Sequence, residues 1–322
     1  MTKKKLKIGV LFGGKSAEHE VSIQSAINVI KALDKKKYHI TPIKIQKNGK
    51  FNFDILKNFD IIFPVLHGPY GEDGSMQGLL KLSNIPFVGA GILGSAVGMD
   101  KDVMKRLLRD SGIPIGKFSV LKMGDNVNFI KIKKELGLPI FIKPANMGSS
   151  VGISKIHNKK EFKKAIYEAF KYDTKILIEE FIKGREIECA ILGNNHPSAS
   201  IPGEIIANQE FYSYNAKYVD QGSIAEIPAK IDKKTTKKVQ ELAIQTFKTL
   251  NCEGFGRVDS FLKKNGDIII NEINTIPGFT NISMYPKLWE ASGLSQTKLL
   301  DKLIELSIER FKKEQKLKTS IN

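Results

Sequence analysis

Cysteine is almost missing from this chain of 322 residues: Cys189 and Cys252 are too few for a disulfide framework and suit a reducing interior. No apolar run approaches the roughly 20 residues that a membrane-spanning helix requires. The start, Met1-Thr2-Lys3-Lys4-Lys5, is basic, but the apolar stretch behind it ends at Gly13-Gly14, too short for a signal-peptide core, so the expected compartment is the cytoplasm. Arginine is scarce, at Arg106, Arg109, Arg185, Arg257 and Arg310, although the formal net charge is +17. Readers of base edges rely on the bidentate arginine fork, whereas the positive charge here is scattered lysine. It reads as a solvated surface, and no nucleic-acid partner is expected. His19, His39, His67, His157 and His196 are dispersed, and neither H-E-x-x-H nor C-x-x-C occurs, which leaves no zinc spacing. A G-x-S-x-G elbow is absent too, as is a G-x-G-x-x-G fingerprint after the first strand.

What is present describes an ordinary globular chain, 41% hydrophobic and 26% charged, long enough for two or three domains. Short apolar strands at Leu6–Phe12, Ile40–Ile45, Ile61–Leu66 and Pro86–Val88, with helical spacing over Ser22–Leu33, predict a parallel α/β unit. A helix over 100–110 stops at Ser111-Gly112-Ile113-Pro114. Strand-like segments then follow at Phe118–Leu121, Ile140–Lys143, Gly152–Lys155 and Ile176–Glu179, around a helix at Glu161–Phe170. Beyond Glu186 come further strands, a long polar loop at Ile206–Ser223, a helix at Lys233–Leu250, strands at Gly256–Leu262 and Asp267–Glu272, and an amphipathic helix at Thr297–Lys313. The expected division is 1–95, 96–185 and 186–313, with a polar tail at 314–322.

Gly9-Val10-Leu11-Phe12-Gly13-Gly14-Lys15-Ser16 satisfies G-x-x-x-x-G-K-[ST] literally. A phosphate loop needs its first glycine to end the strand, and here Val10-Leu11-Phe12 continue it. The better reading is a tight turn at Gly13-Gly14 that delivers Ser16–Glu20 to the carboxyl end of the sheet, where ligands of open α/β sheets bind. A P-loop NTPase or a basic nucleic-acid-binding protein remains the alternative from a different class.

Four constellations bear on the chemistry. Asp259, Glu272 and Asn274 stand near the ends of neighbouring strands, an oxygen set that suits Mg²⁺, and Arg257 shares the strand face of Asp259. Unrelated surface acids would be the bland explanation, but a cation beside metal ligands makes sense when something anionic lies between them. Lys143-Pro144-Ala145-Asn146-Met147-Gly148-Ser149-Ser150-Val151-Gly152 places a lysine before a small-residue loop whose N–H groups could approach phosphate oxygens. Ile176–Ile182, followed by Glu186, could offer an adenine edge its backbone groups and a ribose its carboxylate. The loop His67-Gly68-Pro69-Tyr70-Gly71-Glu72-Asp73-Gly74 follows a strand, and alone it could be structural.

Taken in order, these segments resemble the D-alanine–D-alanine ligase family of the ATP-grasp superfamily. Further matches are Gly13–Ser22, Met99-Asp100-Lys101, Tyr212–Tyr218 and Asn271–Thr280. The resemblance implies a three-part α/β (α+β) fold with nucleotide between the central and C-terminal sheets, and ATP-driven joining of two D-alanines through a D-alanyl phosphate. It implies that Lys101 and Lys143 contact phosphates, that Glu179, Ile182 and Glu186 contact adenine and ribose, and that Asp259, Glu272 and Asn274 hold two Mg²⁺ (or Mn²⁺) ions. Glu18 would hold the first ammonium, with Ser149 and Tyr218 as its hydrogen-bonded partners. Arg257 and the Gly278 N–H would form an oxyanion hole, and His67 would lie near the reacting atoms. Lys217, Ser283 and Met284, the last through its backbone, would receive the second carboxylate. Tyr218 points to D-alanine rather than D-lactate as second substrate, although another carboxylate–amine ligase of this fold remains the near alternative. A homodimer is also implied, and the length, the polarity and the three tyrosines of the Ile206–Ser223 loop predict a lid that is disordered without ligand and closes over ATP.

Overall fold

The structure, a computed structural model, describes residues 4–207, 223–318, 320 and 321. It is built on three sheets. In the first, β1 (Leu6–Gly13), β2 (Tyr38–Ile45) and β3 (Ile61–Pro64) run parallel in the order β2-β1-β3, and an isolated bridge from Ile62 to Phe87 extends its edge. Ile8, Val10 and Leu11 of β1 are fully buried, as continuous apolar strands of covered parallel sheets are. Val10-Leu11-Phe12 therefore belong to the strand, and Gly9 lies within it, so the string resembling a phosphate loop is not one. Gly13 turns the chain at φ 91°, and a Cβ there would lie 2.4 Å from the Ile45 carbonyl oxygen. From this turn α1 (His19–Ala32) starts three residues before the periodicity suggests, because its first turn is polar and carries no apolar repeat.

Eight-residue helices α2 (Ser75–Leu82) and α3 (Ile92–Met99) lead into α4 (Lys101–Asp110). Asp100 caps α4, accepting from the N–H groups of Asp102 and Val103, both at 3.1 Å. Met104 and Leu108 of α4 pack with the core of the third sheet.

The second sheet is antiparallel: β4 (Phe118–Lys122), β7 (Lys175–Glu180), β5 (Ile140–Pro144) and β6 (Ser154–Ile156), in that order. One face, with Ile140, Ile142, Ile176 and Ile178, packs on α5 (Phe129–Leu136) and α6 (Lys159–Ala169). The alternation of strand side chains leaves Phe118, Glu179, Phe141 and Lys143 for the other face, since Glu179 pairs directly with Phe118 and Phe141.

The third sheet contains β8 (Gly184–Gly193), β9 (Ser198–Ala199), β10 (Gly203–Ala207), β11 (Ser223–Glu226), β12 (Gly254–Lys263) and β13 (Ile268–Asn274), with a path β11-β10-β8-β12-β13 and β9 paired to β8. Ile187, Cys189, Val258 and Ile273 face α7 (Lys233–Thr249). Near the other end, Leu192 and Phe255 join a core shared with the first sheet, α8 (Met284–Ala291) and α9 (Gln296–Glu314). The helices α2, α3, α5 and α8 had no counterpart in the sequence reading, each being shorter than the window over which a 3.6-residue repeat declares itself.

Candidate active site

The N-terminus of α1, the loop after β3 and the loop after β5 converge. Ser149 donates from Oγ to Glu18 Oε1, across 131 residues of sequence. Ser149 and Ser150 reach this position with φ of 49° and 60°, the left-handed region that non-glycine residues enter at a cost. Gly68, at φ 75°, backs the same carboxylate, and a Cβ there would stand 2.7 Å from Glu18 Oε2. Ser16 Oγ donates to the His67 carbonyl at 2.5 Å and accepts from the Glu18 N–H at 3.1 Å, which fastens the two loops together.

His67 is buried beneath this junction. Its Nδ1 donates to Glu72 Oε1 at 3.3 Å, and its Nε2 lies 3.2 Å from Ser25 Oγ. Burial opposes a charge on the ring, but Glu72 and then Glu18 outweigh it and hold His67 above its ordinary value. Ser25 Oγ also accepts from the Phe279 N–H at 3.1 Å, so His67 is tied to the loop that carries Gly278. In that loop the Thr280 N–H donates to Ser283 Oγ at 2.9 Å. The Met284 side chain is buried in the apolar core, which leaves its backbone as the part able to face a ligand.

The nucleotide-side residues form a second group. Lys101 Nζ donates to the Met147 carbonyl at 2.8 Å and stands 3.7 Å from Glu272 Oε2. Lys143 Nζ is 2.7 Å from Glu179 Oε2, and Lys105 Nζ is 3.2 Å from Glu179 Oε1. Burial alone would raise the Glu179 carboxyl, yet the two lysines hold it below the usual carboxylate range. Ile182 follows β7 and lies against Gly116, while Glu186 is half-buried on β8.

The third group is set by register. Asp259 on β12 pairs with Glu188 on β8 and Glu272 on β13, which lays three carboxylates in one row across the sheet. Arg257 pairs with Asn274 in the adjacent row. Its Nε and Nη2 each donate to Asp259 at 2.7 Å, Nε lies 2.9 Å from Glu188 Oε2, and Asn274 Nδ2 donates to Asp259 Oδ2 at 3.0 Å. Burial disfavours the guanidinium charge, but Asp259, Glu188 and Glu272 hold Arg257 well above its already high value. Among the described residues, no three acidic, histidine or cysteine side chains already stand together as a metal cage. The donor set nevertheless fits a hard divalent cation, for the row carries three carboxylates against Arg257 and the more distant Lys101, with the Asn274 amide beside it.

Lys217 and Tyr218 lie outside the described residues. The remaining candidates fall into one connected region, bridged by Ser149–Glu18, Lys101–Glu272 and Ser25. Glu188, Lys105, Ser25 and Glu72 went unassigned in the sequence reading. A signal existed for two: Glu188 follows Glu186 at the strand period of two, and Lys105 follows Lys101 at the helical spacing of four.

A lysine-bearing antiparallel sheet joined through Lys101 to a carboxylate-bearing one defines the ATP-grasp class. Residues 7–55 and 51–90 match the family described as D-ala D-ala ligase N-terminus, and residues 107–305 match D-ala D-ala ligase C-terminus. The D-alanine–D-alanine ligase of Oceanobacillus iheyensis is 48% identical over 361 positions, covering 98% of this chain and 99% of that protein. Among solved structures, the D-alanine–D-alanine ligase of Coxiella burnetii has a TM-score of 0.87 at 40% identity, covering 98% and 97% of the two chains. The Bacillus anthracis ligase complexed with ATP has a TM-score of 0.83 at 33% identity, covering 96% and 99%. The chain belongs to the D-alanine–D-alanine ligase family, enzymes that form a C–N bond with hydrolysis of ATP.

Proposed function

We propose that this enzyme joins two D-alanine molecules into D-alanyl-D-alanine for peptidoglycan precursor synthesis, consuming ATP to ADP and phosphate. The observation that carries the reading is the physical continuity of the site. Ser149 ties the phosphate-side loop to Glu18, and Lys101 ties the nucleotide side to the carboxylate row. A carboxylate is a poor electrophile until phosphorylated, and phosphoryl transfer is promoted chiefly by positioning and charge neutralisation. Lys101 and Lys143 receive the phosphates, and Glu179, Ile182 and Glu186 hold adenine and ribose. Glu18 retains the ammonium of the first D-alanine, with Ser149 and Tyr218 closing on it. The amine of the second D-alanine then attacks the D-alanyl phosphate, and Arg257 with the Gly278 N–H stabilises the oxyanion that develops. His67, through Ser25, keeps the Gly278 loop in place. Lys217, Ser283 and the Met284 backbone take the second carboxylate.

Asp259, Glu272 and Asn274 would hold Mg²⁺ (or Mn²⁺), two ions by the family pattern. Such ions neutralise charge on the transferring phosphoryl group. Three distinct sheets support the division near residues 95 and 185, with the first and third joined by a shared core. No described helix is long and apolar enough to cross a membrane. A cytoplasmic homodimer without a nucleic-acid partner fits the family and the scattered lysine charge. The test is coupled ADP release with D-alanine against L-alanine, D-serine and D-lactate, with product mass spectrometry. Dipeptide formed in step with ADP from D-alanine alone is the expected result, and ADP release without dipeptide would sink the proposal.

A further inference from the structure

Lys105 has no part in the chemistry above, yet its side chain is 2% exposed and its ammonium lies 3.2 Å from Glu179. A buried lysine is costly unless it has a counter-charge, so such a position needs a reason. The neighbourhood supplies one. Glu179 carries one negative charge and faces two lysines, one on each oxygen. Those lysines differ in what holds them. Lys143 precedes the Ala145–Gly152 loop and is a phosphate contact in the proposed reaction. Lys105 sits on α4, one turn after Lys101, on a helix anchored by Met104 and Leu108 in the third core and by the Asp100 cap. Its Nζ also lies 5.9 Å from the centre of the Phe118 ring, across the strand from Glu179.

When Lys143 turns to a phosphate, Glu179 loses one partner, and a buried carboxylate left without a cation is strongly destabilised. Lys105 is placed to prevent this. Glu179 Oε1 accepts no well-aligned hydrogen bond from the protein, so the contact with Lys105 is ionic and the oxygen keeps acceptor capacity. An adenine edge offers an exocyclic N–H₂ donor to such an oxygen, whereas guanine presents a carbonyl that a carboxylate repels.

We infer that Lys105 is a positioning residue for base selection, holding Glu179 ionised and oriented so that the site takes adenine nucleotides and rejects guanine nucleotides. This rests on the reading that Glu179 meets the base, and the experiment separates the two. Lys105→Met and Lys105→Gln remove the charge with little change in side-chain bulk, and in the free enzyme Lys143 still faces Glu179 at 2.7 Å, so the carboxylate is not left without a cation. Lys105→Arg restores the charge, and Glu179→Gln tests the underlying reading. Steady-state kinetics with ATP and GTP, on variants whose thermal melts remain cooperative, give the selectivity. For Lys105→Met or Lys105→Gln the expected result is an ATP KM raised about tenfold and kcat within about threefold. The ATP-to-GTP ratio of kcat/KM should fall about tenfold, with partial recovery in Lys105→Arg. An unchanged ratio in the Lys105 variants, with a collapsed ratio in Glu179→Gln, would overturn the role of Lys105. An unchanged ratio in Glu179→Gln itself would overturn the reading of Glu179, and the inference with it. A drop in kcat with KM and selectivity unaltered would show Lys105 to be structural and would also overturn the inference.

Discussion

Arg257 stands between the buried carboxylates of Asp259 and Glu188, and this arrangement sets what its loss would do. Removing an oxyanion donor typically lowers kcat by about 10² to 10³. Arg257→Ala should therefore lose kcat on that scale while the KM for ATP changes by less than about threefold, as steady-state kinetics at saturating D-alanine will check. Another residue-scale prediction concerns the thiols. Burial pushes Cys189 and Cys252 up to about 12, from an ordinary value of 9.0. Above pH 9 the unfolded chain releases these protons and the folded chain keeps them, so the unfolded state is favoured as pH rises from 9 to 12. Each thiol should then cost about 1 kcal/mol of stability per pH unit in that window. Urea titrations at pH 8 and pH 10 measure the loss, and Cys189→Val should reduce it. A slope unaffected by that replacement would refute the assignment.

At the scale of elements, α9 fastens the first unit to the third. Arg310, near its end, is 6% exposed and donates to the Phe87 carbonyl at 2.8 Å and to the Gly89 carbonyl, with its guanidinium 4.4 Å from the Phe87 ring centre. Arg310→Ala would leave two buried carbonyls unpaired and a void, at a cost of about 3 kcal/mol. A lowered urea midpoint with intact kcat at low temperature is the expected outcome. The amphipathic repeat of α9 was legible from Leu299, Leu300, Leu303 and Ile304, whereas the Arg310 contacts were not, since they join residues more than 220 positions apart. The same limit separates Asp259 from Glu188. The motifs around Asp259, Glu272 and Asn274 could be read directly, because Asp259 and Asn274 stand only 15 positions apart on the two strands of one hairpin. Glu188 enters the row through β8, and its register with β12 is a property of the folded sheet. Lys105 was hidden for a related reason, as its partner Glu179 belongs to another sheet.

Over the whole molecule, a net charge of +17 with lysines spread across many elements should attract a polyanion such as ATP without selecting it. The association rate for ATP should fall at least about twofold between 20 and 200 mM salt, as the Debye length shortens from about 20 to about 7 Å. Stopped-flow fluorescence would measure this, and a rate indifferent to salt would show that the surface charge plays no part. The row of Glu188, Asp259 and Glu272 has a consequence for how such a chain can diverge. Side chains alternate across a strand, so deleting one residue from Gly254–Lys263 ahead of Arg257 would send Arg257 and Asp259 together toward the apolar face under α7. A substitution on β12 alters one side chain, whereas a change of length turns over every side chain beyond it. Family history should therefore record insertions and deletions in the loops and an unvarying count of residues through this strand.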